Sequence, residues 1–368
     1  MRISFLLPVV PRVPSGGAIV VYEYASQLVA QGHQVTVVHE QWRQGWATPF
    51  THLYEIARDR FHHHTPGGLT KWLRWAPIDP RVRMMLIRRF EPELLPDADV
   101  VVATPWTTAR LLPRLAARHG SPVHFVQGYE IDFLDVASAA DVDSVLRLDL
   151  PKIAVSRYLA DVLHRRLGVP DDRITVVRNG LDHSRYRPPA APRPRGRSVC
   201  TMLSPNPPKG SAVTIAALER VRSELPDLEV NAFGGERRPA WLPGWARYWR
   251  GLSGGELARR VYQANSLYLC GSVREGWGLP VAEAMACGAA VVSTRNGGVE
   301  EFCVHERNSL LVEVDDVPAM ADAVTRLLLD EQLRSRLVAA AVVTTSTMDW
   351  SISAANFVAA LRAVSAAR

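Results

Sequence analysis

Lysine is nearly missing from this chain: Lys71, Lys152 and Lys209 are the only three among 43 basic residues, the rest being arginine. A lysine that opens a helix is therefore less easily dismissed as background here than in a Lys-rich protein. Cysteine is sparse as well, with Cys200, Cys270, Cys287 and Cys303 all in the second half, in apolar surroundings and without a CxxC pair. Buried, reduced thiols are the reading, and a disulfide scaffold is excluded. Long apolar runs are absent too. The longest, such as Ile3 to Val10 with Pro8 inside it, fall far short of the roughly 20 residues that span a bilayer. A single Arg precedes that run, and an amphipathic stretch follows it in place of a small-residue cleavage site. A secretory signal is therefore not expected, and a cytoplasmic location is. No GxGxxG follows the first apolar run, which argues against a dinucleotide-binding oxidoreductase, and the absence of any Gly-Lys dipeptide excludes a P-loop.

What is present fits a soluble α/β chain. At about 100–200 residues per domain, 368 residues suit two domains, and shares of 47% hydrophobic and 22% charged residues are those of globular proteins. A net charge of +6 suits anionic partners but is too diffuse to imply nucleic acid. The first forty residues give an apolar run, a Pro/Gly-rich turn (Pro11 to Gly17), an amphipathic stretch closed by Gly32 and a second apolar run, which is a strand, helix, strand unit. Strands are expected at Asp99–Thr104, Pro122–Gln127, Lys152–Ser156 and Ile174–Arg178, with helices at Trp106–His119 and Arg157–Gly168. Between Tyr186 and Ser198 the prolines and arginines allow neither helix nor central strand, so residues 186–198 read as a linker. Strand and helix signals then alternate again through Val199–Ser204, Lys209–Glu224, Leu228–Phe233, Gly255–Ala264, Ser266–Cys270, Pro280–Cys287, Ala289–Ser293 and Ser309–Val314. The domains are thus 1–185 and 199–350, followed by a helix at 351–368 that is free to pack back on the first. Two parallel sheets facing each other make the cleft between them the natural ligand site.

One stretch resists this scheme. Gln41 to Arg89 carries Trp42, Trp46, His62, His63, His64, Trp72 and Trp75, a composition that a buried sheet layer would not tolerate, so a cleft-lining or surface segment is expected. No cysteine or carboxylate stands at ligand spacing beside the histidines, and no metal site is assigned there. Its basic residues Arg58, Arg60, Lys71, Arg74, Arg81, Arg83, Arg88 and Arg89 interleave with Trp72, Trp75, Met84, Met85, Leu86 and Ile87. That pattern suits peripheral contact with an anionic membrane, an acceptor gripped by Trp72 and Trp75, or a helical layer packed on the first domain. Asp97 and Asp99 form an Asp-x-Asp pair, but polar turn residues before a strand are ordinary.

The densest signal is REGWGLPVAEAMACGAAVVSTRNGGVEEF, Arg274 to Phe302. Glu275 lies in a Gly-rich loop after a strand, Pro280 fits the first turn of the next helix, and Glu283 sits one turn inside it. Backbone N–H groups at Gly278 and Leu279 then form a site for a diphosphate, with the two carboxylates placed to accept hydrogen bonds from sugar hydroxyls. The competing reading is a capping Glu and a surface Glu on an ordinary unit.

This stretch resembles the donor site of retaining nucleotide-sugar glycosyltransferases of family 4, whose pattern is EGxGLPxxEAMAxGxPVV with two glutamates seven residues apart. Here the body is EGWGLPVAEAMACGAAVV, and Gly297, Gly298 and Glu301 match the GGxxE that follows. Gly16 and Gly17 match the family's first loop, IAVSRYLADVL its serine-led helix, VVRNGLD its turn before the linker, and Lys209-Gly210 its KG pair. The resemblance implies a GT-B fold, two Rossmann-like βαβ domains across a cleft. It also implies that Glu275 binds donor-sugar hydroxyls, Glu283 the ribose and Lys209 the diphosphate, without a metal or other cofactor.

The chain departs from the pattern in two places. An Arg usual shortly before the lysine is replaced by TMLSPNPPKG, which offers Ser204 and Asn206, so the second charge falls to Arg274 or Arg178, or to the helix start alone. A His-Gly pair becomes Gln127-Gly128, and Gln127 cannot donate a proton, leaving it to hydrogen-bond sugar or acceptor. Glu130 is a candidate acceptor contact or a plain loop carboxylate. The expectation is transfer of a hexosyl or deoxyhexosyl group from a nucleotide diphosphate sugar to a glycan, lipid-linked or small-molecule hydroxyl. Retention follows from same-face attack, with no carboxylate as nucleophile. VQGYE and the aromatic segment resemble bacterial polysaccharide enzymes. The alternatives are an epimerase or phosphorylase of the same fold, or a silent subunit that binds sugar nucleotides.

Overall fold

The computed structural model describes residues 1–40, 73, 75–76, 78–130, 139–190 and 196–366. They build two all-parallel sheets. The first contains β1 (Arg2–Leu7), β2 (Gln34–Glu40), β3 (Arg83–Ile87), β4 (Val100–Ala103), β5 (Ser121–Val126), β6 (Lys152–Ala154) and β7 (Ile174–Val176), in the order β3-β2-β1-β4-β5-β6-β7. The second contains β8 (Ser198–Met202), β9 (Glu229–Gly234), β10 (Ala246–Arg250), β11 (Leu267–Cys270), β12 (Ala290–Thr294) and β13 (Leu310–Val312), in the order β10-β9-β8-β11-β12-β13. Helices cover both faces, which is why the central strands read as unbroken apolar runs: every residue of β4 and of β11 is buried. In both sheets the order reverses beside the first strand, between β1 and β4 and between β8 and β11. Ligands bind at the carboxyl ends of strands at such a reversal. The residues after β1, β8 and β11 are therefore the ones to read for chemistry.

The C-terminal helix (Trp350–Ala366) crosses from the second half back to the first. Its Phe357 ring sits 4.5 Å from Tyr24, 5.1 Å from Phe125 and 6.0 Å from Phe5, while Trp350 meets Tyr24 edge-on at 5.2 Å. The turn that precedes the strap between the domains is clamped to the same helix. Leu181 N–H donates to the Met348 carbonyl at 3.1 Å, and a side chain on Gly180 would run into the Trp350 backbone.

Two expectations are corrected, and two elements are added. The segment ending at Arg89 was not expected to supply a sheet layer, yet RMMLI is β3, paired in parallel with β2 from Thr36–Arg83 to Glu40–Ile87. It is an edge strand, so Arg83 projects to solvent while Met84, Leu86 and Ile87 join the cores, and those apolar residues are not available to a membrane. Trp106–His119 is not one helix, because Pro113 lacks an amide hydrogen. A four-residue helix (Trp106–Ala109) is followed by two short 3-10 turns. β10 and the helix Ala139–Leu146 were not anticipated. Trp72, the triple histidine and the other residues of 41–72 lie outside the described residues.

Candidate active site

After β8 the chain turns through Pro207–Lys209, and after β11 it runs through Gly271–Gly278 into the helix Leu279–Ala286. These two turns lie together. The Lys209 ammonium donates to both oxygens of Glu275, at 2.8 and 2.9 Å, and the Ser272 hydroxyl donates to Glu275 Oε1 at 2.8 Å. The Glu275 amide is fixed by the Asn296 carbonyl at 2.9 Å. Gly278 caps the helix with φ of 94°, a conformation costly for any residue with a Cβ. The helix start borders a small cavity lined by Lys209, Glu275, Ser272, Gly278 and Tyr268; Pro280 has no N–H and the Val281 amide donates to the Gly278 carbonyl at 3.0 Å, so the amides of Gly278 and Leu279 are the ones left at this end.

Ser204 and Asn206 build the lysine turn. The Ser204 amide and carbonyl both bond the Ser211 hydroxyl, its own hydroxyl accepts from the Asn206 amide at 3.2 Å, and the Asn206 carbonyl accepts from the Lys209 amide.

The first domain closes over this site. The Gln127 side-chain amide donates to the Gly17 carbonyl at 3.2 Å, which joins the start of the helix Gly16–Ala30 to the VQG turn; Gly16 and Gly17, expected in a loop, open that helix. Across the cleft, a Cβ on Gly276 would lie 1.9 Å from the Gln127 carbonyl oxygen, so only glycine lets the two turns touch. Glu301 bridges the domains a few residues further on, accepting from the Arg157 amide at 2.6 Å and from the Arg178 guanidinium at 2.9 and 3.0 Å. Arg178 is thereby engaged by a carboxylate. Arg274, the other cation considered, is half-buried, and its charge is felt by Tyr129.

Glu283 stands on the far side of the helix start and is only 7% exposed. Its Oε2 accepts from the Tyr262 hydroxyl at 2.9 Å, and burial pushes its pKa up to about 7 against the pull of Tyr262 and Tyr186. A second cavity opens beside it, bounded by Leu279, Tyr186, Arg185, Glu23, Gly254 and Trp75. Trp75 is half-buried and lines this cavity. Its indole N–H donates to the Pro11 carbonyl at 3.2 Å, and its own carbonyl accepts from the Ser253 hydroxyl at 3.0 Å.

Glu130 is not a free loop carboxylate. It is half-buried, accepts from the Trp106 amide at 2.9 Å, and burial raises its pKa to about 7. Asp97 and Asp99 are paired with Arg118 and Arg2 at 2.9 and 2.8 Å, and among the described residues no three His, Cys, Asp or Glu side chains form a metal-holding group. The four cysteines are buried and unbridged. Sequence reasoning missed Ser272, Tyr186 and Tyr262. Ser272, three residues before Glu275, was the one with a positional signal.

Two family models match the chain, "Glycosyltransferase Family 4" over residues 14–185 and "Glycosyl transferases group 1" over residues 197–330. The chain belongs to the family 4-like glycosyltransferases. Phosphatidyl-myo-inositol mannosyltransferase of Mycolicibacterium smegmatis is 25% identical over 397 residues, spanning 100% of this chain and 95% of that protein. Among solved structures, sucrose-phosphate synthase from Thermosynechococcus elongatus superposes with a TM-score of 0.73 at 16% identity, covering 100% of both chains. Anabaena HepE, solved with UDP and glucose, gives 0.72 at 16% identity, covering 99% of this chain and 100% of that one. The two sheets of this glycosyltransferase are thus the paired Rossmann-like domains of a GT-B fold. No helix among its described residues is long and apolar enough to cross a membrane.

Proposed function

We propose that the enzyme transfers a hexosyl or deoxyhexosyl group from a nucleotide diphosphate sugar to an acceptor hydroxyl, with retention of configuration and without a metal ion. The observation that carries this reading is the Lys209–Glu275 pair beside the Leu279–Ala286 helix start. A diphosphate entering that cavity meets the Lys209 ammonium and the helix start at Gly278 and Leu279, groups of the kind that stabilise charge developing on a leaving phosphate. As the diphosphate takes over Lys209, the Glu275 carboxylate is released to accept hydroxyls of the donor sugar. Gln127, held over the same place by Gly17, is an amide and cannot attack the anomeric carbon. This supports same-face substitution, in which the leaving phosphate oxygen receives the acceptor's proton. Glu283, on the other side of the helix start, takes the ribose in this reading. HepE was solved with UDP and glucose and the mycobacterial relative is named for a phosphatidyl-inositol acceptor, which supports a sugar nucleotide as donor and a hydroxyl-rich acceptor.

The test is incubation with a panel of UDP, GDP, ADP and TDP sugars, each with and without candidate hydroxyl acceptors, in the presence and absence of excess EDTA. Transfer should require both substrates and survive EDTA. Isomerised sugar released from donor alone would identify an epimerase, and activity restored only by magnesium or manganese would end the metal-independent reading.

A further inference from the structure

Glu283 accepts a hydrogen bond from the Tyr262 hydroxyl at 2.9 Å and feels the Tyr186 hydroxyl as well, and no part of the donor-site motif supplies either tyrosine. Tyr262 closes the helical segment Gly254–Tyr262 and is fully buried, its ring packed edge-on against Phe233 at 5.7 Å and Tyr268 at 5.8 Å. Tyr186 is the first residue of the strap between the domains, yet it is only 8% exposed, with its ring 6.3 Å from that of Tyr262. The strap is tied down beside them, for the Gln263 side-chain amide donates to the Arg187 carbonyl at 2.7 Å. The cavity bounded by Glu283, Leu279 and Gly254 has Tyr186 and Arg185 as its neighbouring wall.

We infer that Tyr262 and Tyr186 are positioning residues that hold the Glu283 carboxylate for the two hydroxyls of a ribose, so that the strap between the domains forms one wall of the nucleoside pocket. The inference rests on the ribose role proposed for Glu283. A ribose offers two O–H donors, and a carboxylate can accept both, whereas a carboxylic acid gives up one acceptor site to its own proton. Burial favours the acid, and phenolic O–H donors favour the anion. The other charged and titratable groups that face this place are Glu23 of the Gly16–Ala30 helix, Arg185 and Asp182 before the strap, Tyr268 of β11 and Cys287 beyond the helix end. Arg185 already bonds Glu23 at 3.2 Å and Asp182 at 2.8 Å. The tyrosines are therefore the groups left to keep Glu283 charged.

The experiment is calorimetric titration of the full chain with UDP-glucose, GDP-mannose and ADP-glucose from about pH 5.5 to 9, followed by variants with the nucleotide that binds. Wild-type affinity should strengthen as pH rises through about 7. In Tyr262→Phe that midpoint should move upward by at least about half a pH unit, equivalent to about 0.7 kcal/mol. Affinity then falls about twofold or more near neutrality and recovers at high pH, and Tyr186→Phe should move the same way by less. An equal loss at every pH, or no change, overturns the positioning role. Glu283→Gln should weaken binding and flatten its pH dependence. If it binds as wild type does throughout, or if none of the three nucleotides binds, the ribose reading itself is wrong.

Discussion

Glu275 and Glu283 leave one loop and the helix that follows it, on either side of the same helix start, yet the chain surrounds them in opposite ways. Glu275 meets a full charge and a hydroxyl, Lys209 and Ser272, in a cavity open to an anion. Glu283 meets tyrosine hydroxyls in a buried pocket that raises its pKa to about 7. The first arrangement is one a substrate can take apart, because a diphosphate competes for the ammonium. In the proposed reading the second is one a substrate joins, since a ribose diol would add to the carboxylate without displacing the phenols. Seven residues separate two carboxylates whose tasks are set by what folds against them.

The comparison breaks most visibly through stability. Burial makes Glu283 harder to ionise in the native chain than in the unfolded one, where its pKa is near 4.5. Between about 4.5 and 7 the native state therefore holds more protons. The carboxyl's stabilising contribution is complete below 4.5 and is lost as pH rises through about 7. At about 1.4 kcal/mol per unit this amounts to about 3 kcal/mol. Chemical denaturation of the ligand-free protein should show Glu283→Gln gaining on wild type by up to that amount between pH 5 and pH 8. A difference that does not vary with pH would mean that Glu283 is solvated, like a surface carboxylate.

Next in size is the charged partner of Glu275. Lys209→Ala leaves that carboxylate without its ammonium and the diphosphate without its cation. Turnover should fall at least 100-fold, about 2.7 kcal/mol, with little change in melting temperature. Near-normal turnover would remove Lys209 from the reaction and leave the helix start to hold the anion alone.

How legible these features were depended on whether the cause was local. β1, β4, β5 and β11 are buried on both faces, so apolar runs announced them. β3 and β10 are edge strands: ARYWR is polar and aromatic, with Arg247 over the Trp249 ring at 4.0 Å, and the apolar stretch of RMMLI is set among Arg81, Arg83, Arg88 and Arg89. ARYWR and the Trp-, His- and Arg-rich surroundings of RMMLI resemble a loop, and so both strands were missed. Lys209, Glu275 and Glu283 were readable because loop, helix cap and carboxylates are close in sequence. Tyr186, Tyr262 and the Glu301–Arg178 bridge were not, because each acts on a partner supplied by another element of the tertiary fold. Arg178 shows the same limit: it was one of two arginines considered as a second cation for the leaving group, and the fold gives its guanidinium to Glu301.

The smallest effect is also the sharpest probe of the Glu275 side. Ser272 is 2% exposed and gives its hydroxyl to the oxygen that Lys209 also holds, so its removal leaves the carboxylate charged and still paired. A hydrogen bond with one charged partner contributes about 1.5–3 kcal/mol when nothing replaces it. With Lys209 in place the loss should sit at or below the bottom of that range, a several-fold fall in kcat/KM for Ser272→Ala. The two residues share one acceptor, so their effects should not add. In a Lys209→Ala background, where Ser272 is the donor left on that oxygen, Ser272→Ala should lower kcat/KM by more than it does alone. Fully additive losses would mean that Ser272 acts through something other than the orientation of Glu275, and its hydroxyl would then have to be sought in direct contact with the donor.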